Sequence, residues 1–190
     1  MNKVYKLKND LENYAHFLEI RENVDNMFID KYWRWKEIDL NTYEPVKYEL
    51  CSGDNGKKNY KMDIAKTSMG LIIFSEKAIN ALKNILEKTG QIVPIITESK
   101  RKKFFGFYPN KNIYDDSIIN FDKSEWRQAE KGKIFQKIVL NNQYPKNDYI
   151  FTLSSYAMGC FVTEKFKEIV EKNDLKGFEF NEYTEIKVED

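Results

Sequence analysis

The chain has 190 residues, with 31 basic against 30 acidic side chains, one His, two Cys and 15% aromatic residues. That length suits one domain with a hydrophobic core that needs no disulfide or metal staples, and an apolar content of 42% lies well outside the disordered range. A net charge of +1 excludes a general attraction to nucleic acid or anionic lipid, and His16, Cys51 and Cys160 cannot together supply the four ligands of a structural zinc site.

Of the basic residues only Arg21, Arg34, Arg101 and Arg127 are arginines, so the planar fork that reads guanine or carboxylate is scarce. No cofactor is expected. Met1 to Asp10 alternates charged and apolar residues without a stretch of signal-peptide length, and Leu71-Ile72-Ile73-Phe74, with Met69 before it, is far short of the ~20 residues of a membrane span. The expectation is a soluble, cytoplasmic protein whose two Cys stay reduced.

The segment from Asp10 to Ile20 reads as an early helix carrying His16. From Met27 to Leu50, period-two alternation and β-favouring aromatics predict short strands broken at Pro45. In such a strand Trp33 and Trp35 share one face beside Arg34, a composition typical of protein interfaces. Ser52 to Lys58 is turn chemistry and the candidate boundary, within a single domain, between an N-terminal portion, 1–58, and a C-terminal portion, 59–190.

Leu71 to Phe74 reads as a strand, and Ser75-Glu76-Lys77 opens a helix that runs to about Lys88. Ser75 can cap it, Glu76 suits its positive end, and Gly90 is placed for a left-handed stop. Ala78, Ile79, Leu82, Ile85 and Leu86 form one apolar face. Gln91 to Ile96 reads as the next strand, edged by Pro94. A similar phrase returns as Gly159-Cys160-Phe161-Val162, then Thr163-Glu164-Lys165, then Phe178-Glu179-Phe180, which suggests a duplicated strand-helix-strand unit.

Between the two phrases, Lys100-Arg101-Lys102-Lys103 reads as a solvated turn leading into a core strand from Phe104 to Tyr108. Asp115, Asp116, Asp122 and Glu125 read as turn and cap residues rather than metal ligands. Ile134 to Leu140 and Tyr149 to Leu153 read as further strands. The sum is an α+β fold: a mixed, mainly antiparallel sheet with two or three packed helices.

The order Tyr60-Lys61-Met62-Asp63-Ile64, Gly70 to Lys77, the strand with Pro94, Phe105 to Tyr108, Asp122-Lys123-Ser124, Phe161-Val162-Thr163-Glu164 and Leu175-Lys176-Gly177-Phe178-Glu179-Phe180 resembles the immunity proteins of bacterial polymorphic toxin systems. The resemblance spans roughly residues 60 to 183. It implies a cytoplasmic, non-enzymatic protein, encoded beside a toxin, that binds and occludes it. Exposed aromatics and carboxylates are the expected partner contacts: Trp33, Trp35, Asp115, Asp116 and Trp126. Two alternatives stand beside it: a single-stranded nucleic-acid binder using Lys100 to Tyr108, and a carboxylate-dependent hydrolase built on Asp115, Asp116 and Asp122.

Overall fold

The computed structural model describes residues 3–20, 28–32, 36–67, 70–130 and 132–189. The chain opens with strands β1 (Val4–Lys6), β2 (Lys8–Asn9) and β3 (His16–Glu19), a short helix α1 (Phe28–Tyr32), then β4 (Lys47–Cys51), β5 (Ile64–Lys66) and β6 (Ile72–Ser75). Helix α2 (Glu76–Thr89) leads into β7 (Gln91–Pro94), β8 (Ile96–Thr97), β9 (Phe104–Tyr108) and β10 (Ile113–Tyr114). A 3-10 turn at Asp116–Ile118 precedes β11 (Glu125–Ala129), β12 (Gly132–Lys137), β13 (Val139–Asn141), β14 (Ile150–Leu153) and β15 (Tyr156–Thr163). Helix α3 (Glu164–Lys172), β16 (Phe178–Glu179) and β17 (Glu185–Glu189) complete the described chain. This is an α+β architecture, with several ladders in place of one sheet.

The largest sheet has six strands in the order β10-β14-β15-β1-β17-β13. Its inner pairings are antiparallel, and its two outermost, β10 with β14 and β13 with β17, are parallel. Two smaller sheets, β3-β4-β8 and β5-β6-β9-β7, wrap one core. They are joined where the chain bends from β7 into β8 beyond Pro94 and where β3 runs against β5. Inside lie Phe17, Tyr48, Met62, Ile73, Phe104 and Tyr108, so residues on both sides of the 52–58 turn share one interior. Helix α2 lies between the two sheet systems: Ala78, Leu82 and Leu86 pack with Phe74 and Phe107 on one side and with Ile150 and Phe166 on the other.

Start and stop of α2 follow from local chemistry. The Ser75 side chain accepts a hydrogen bond from the Ala78 N–H at 3.2 Å, and Glu76 sits in the first turn and Lys88 in the last. Gly90 ends the helix for a reason other than the expected left-handed turn. Its φ is −176°, ordinary extended backbone, and a Cβ there would run into the Tyr108 carbonyl and the Phe107 ring. Glycine serves close approach of α2 to β9.

Two predicted segments fold differently. Asp10 to Ile20 is a turn followed by β3, whose register with β4 pairs His16 with Cys51 and Glu19 with Tyr48. Leu11 and Leu18, which helical spacing would have buried, are exposed. Phe28–Tyr32, read as extended, is helical because its first N–H donates to the Glu19 carboxylate at 2.7 Å, a cap supplied from the end of β3.

The repeated phrase gives a strand and a helix twice, but the surroundings differ. β6 and β7 both pair with β9, which lies between them, whereas β16 leaves the β15 sheet and pairs with β2. Thr163 makes no side-chain cap bond to α3, unlike Ser75 on α2.

Candidate functional site

Three of the phrases that carry the family resemblance, at 60–64, 70–77 and 175–180, meet at one buried carboxylate. Asp63, 2% exposed, accepts from the Ser75 hydroxyl at 2.6 Å, the Lys102 ammonium at 2.7 Å and the Lys176 N–H at 2.9 Å. Its own N–H donates to the Lys176 carbonyl at 2.7 Å, and its carbonyl accepts from the Ser75 N–H at 2.9 Å. Burial works to raise this carboxyl, but the bonds from Lys102, Ser75 and Lys176 outweigh it and hold the carboxyl below its usual range. Gly177, at φ +85°, lets the 175–178 step pass against Met62, where a Cβ would stand 3.0 Å from the Met62 Cβ. The site is fully occupied by the fold's own groups, so it anchors the chain and offers a ligand nothing.

That anchoring also settles where the basic-aromatic run points. Lys102 turns inward to Asp63 and to the Met62 carbonyl at 2.7 Å, while Lys103 lies 3.7 Å from Glu76. Phe104, Phe107 and Tyr108 are buried, so their rings belong to the core and present no stacking faces.

The acidic candidates lie beside a two-stranded ribbon. Asp115 is exposed and caps the 3-10 turn through the Ser117 N–H at 2.8 Å, an arrangement that lowers its carboxyl. Asp116 is half-buried. Burial pushes its carboxyl up, but the adjoining Ser155 hydroxyl and the Lys133 ammonium, at 2.9 Å, prevail and hold it low. Among the described residues no group of three or more His, Cys, Asp and Glu is placed to hold a metal ion.

Lys133 belongs to β12, which pairs only with β11, so the two strands form an arm separate from the larger sheets. Trp126 stands opposite Phe135, and both rest on Phe121, with ring centroids at 5.4 Å and 6.2 Å. Phe135 continues onto Tyr156 of β15 at 6.2 Å, and Lys133 lies over the Phe121 ring at 5.3 Å. This packing fixes the inner face of the arm. Trp126 nevertheless keeps 41% of its surface exposed, and on the outer face Ile134, opposite Arg127, keeps 43%.

Of the five expected contacts, Trp126 lies on the arm, Asp116 pairs with its Lys133, and Asp115 is the neighbour of Asp116. Trp33 and Trp35 lie outside the described residues. Ile134 was not singled out by the sequence, although a signal was present. Ile134 and Phe135 are adjacent, so in a strand they must point to opposite faces, and a ribbon with one packed face leaves one of them outside.

Cys160 is buried, which pushes its thiol up to about 12, and Cys51 lies across the β3–β4 ladder from His16. A different titratable group has an unusual setting: Lys66 is 6% exposed inside the N-terminal core, near the Tyr48 ring, and burial brings its amine down to about 8 against the pull of Glu19. No helix among the described residues is long and apolar enough to cross a membrane. No protein-family model matches the chain, and no curated protein matches it in sequence.

Proposed function

We propose that this chain is an immunity-type binding protein that neutralises a cognate bacterial toxin by occlusion, without catalysis of its own, in the cytoplasm of the cell that makes the toxin. The observation that carries the reading is the β11–β12 arm. It holds an exposed Trp and an exposed Ile on a ribbon whose inner face is braced by Phe121 and Tyr156. Large apolar groups kept rigid at an exposed position lose little entropy on binding, and Trp is the residue most often found at energetic centres of interfaces. Asp115 and Asp116 beside the arm add acidic contacts at the rim, where charge steers encounter and sets specificity more than affinity.

The resemblance supports the same reading. Three of its phrases meet at Asp63, so they mark residues needed to build this fold. The partner expected is a protein, engaged over ~1,200–2,000 Å² of total buried surface in a stoichiometric complex. Co-expression with the product of the neighbouring toxin gene tests it. Rescue of growth together with co-purification supports the reading, and a chain that does neither removes it.

A further inference from the structure

The outer face of the β3-β4-β8 sheet carries a second surface. Alternation turns Phe17, Tyr48 and Leu50 into the core and Leu18, Lys47 and Glu49 outward. The ladder sets the outward rows in register. Leu18 stands opposite Glu49, the Ile20 N–H donates to the Lys47 carbonyl at 3.0 Å, and Ile96 stands opposite Lys47 on the other side. Leu18, Ile20 and Ile96 are 48%, 42% and 46% exposed, a concentration of large aliphatics that single scattered surface residues do not produce. One cation and one anion, two positions apart, run between them.

We propose that this face is the twofold contact of a homodimer. An isologous contact requires that residue i meet residue j and that j meet i. A twofold axis lying in the face and crossing β4 at Tyr48 does this for both rows at once. It carries Lys47 onto the partner's Glu49, Glu49 onto the partner's Lys47, and Ile20 onto the partner's Leu18. Along β3 and β4 the face is complementary to itself in charge and in apolar contact, while on the β8 side the same axis sets Ile96 against the partner's Glu98, which is exposed. A three-stranded face is small against the ~1,200–2,000 Å² of a standard interface, which makes the dimer concentration-dependent. The surface lies apart from the β11–β12 arm, so it does not rest on the toxin-binding reading.

Sedimentation equilibrium of the full chain over a wide concentration range tests it. The wild-type chain follows a monomer–dimer equilibrium. Lys47→Glu and Glu49→Lys each place like charges together and weaken the dimer by about tenfold or more, and the double exchange restores it because both halves of the pair invert together. Leu18→Asp, an exposed change that leaves the circular dichroism spectrum intact, abolishes it. A wild-type chain that stays monomeric throughout, or a double exchange as weak as either single one, overturns the proposal. A monomeric chain in which Leu18→Asp impairs binding to another protein assigns the face to that protein and overturns it equally.

Discussion

Lys102 reaches across from the turn before β9 to the buried carboxylate of Asp63, 2.7 Å away, and this pair ties the start of β5 to the only strongly basic run in the chain. The Lys side chain is about a quarter exposed, its partner almost wholly enclosed. Such a pair contributes little over a well-packed apolar one, but removing one partner strands the other without compensation. Lys102→Met is therefore expected to cost about 3 kcal/mol or more in urea unfolding, with Asp63→Asn/Lys102→Met recovering part of the loss. Because the Asp63 carboxyl is held below its unfolded value, its contribution is complete above the ordinary carboxylate range and disappears as pH falls through the folded value. The urea midpoint of Asp63→Asn should accordingly fall less between neutral and acid pH than that of the wild type.

Ser75 and Thr163 occupy equivalent positions at the starts of α2 and α3, yet they carry unequal duties. Ser75 caps the Ala78 N–H and donates to Asp63, so Ser75→Ala should cost about 1–2 kcal/mol. Thr163 is buried with a hydroxyl that finds no hydrogen-bond partner among the described residues. Thr163→Val keeps the shape and removes an unsatisfied group, so thermal unfolding should show it neutral or more stable than the wild type.

Alkaline stability has a sign that two kinds of buried group set between them. Lys66 loses its proton at about 8 in the folded chain against 10.5 when unfolded, so between these values the unfolded chain binds more protons and stability rises with pH. The buried phenols act in the opposite sense. Burial raises Tyr5 and Tyr114 to about 12 and carries Tyr43 and Tyr48 higher still, so above 10 the folded chain keeps protons the unfolded one has lost, and stability falls. Urea midpoints should rise from about pH 8 to a maximum near 10 and fall above it, and Lys66→Met should remove the rise while leaving the fall.

On the arm, Ile134→Ser should change the unfolding midpoint by less than about 0.5 kcal/mol, as an exposed side chain on a solvent-facing position. Trp126→Ala should cost somewhat more, since the indole rests edge-on against Phe121. Differential scanning calorimetry of both variants checks that the arm can be altered in a folded chain.

The elements legible in the sequence are those whose signals are local. Helix α2 is written in Ser75, Glu76 and the spacing of Ala78, Leu82 and Leu86, and β9 in the run from Phe104. What was illegible depends on partners far away in the chain. Phe28–Tyr32 becomes helical because Glu19 caps it, and Asp10 to Ile20 abandons helical spacing because β4 offers a ladder to His16–Glu19. Asp63 gave no sign of its importance, since its carboxylate partners include Ser75, 12 positions on, and Lys176, 113 positions on. Trp126 is exposed, and so is Ile134, whose exposure was not legible because an apolar pair in a strand does not announce which member faces out.

Titration of the purified chain against the protein encoded by the adjacent gene, followed by isothermal calorimetry, tests the proposed toxin binding most directly. The account predicts a stoichiometric complex for the wild type and at least about tenfold weaker binding for Trp126→Ala and for Ile134→Ser in folded protein. A wild-type chain that gives no heat and forms no complex, or arm variants that bind as tightly as the wild type, would contradict it.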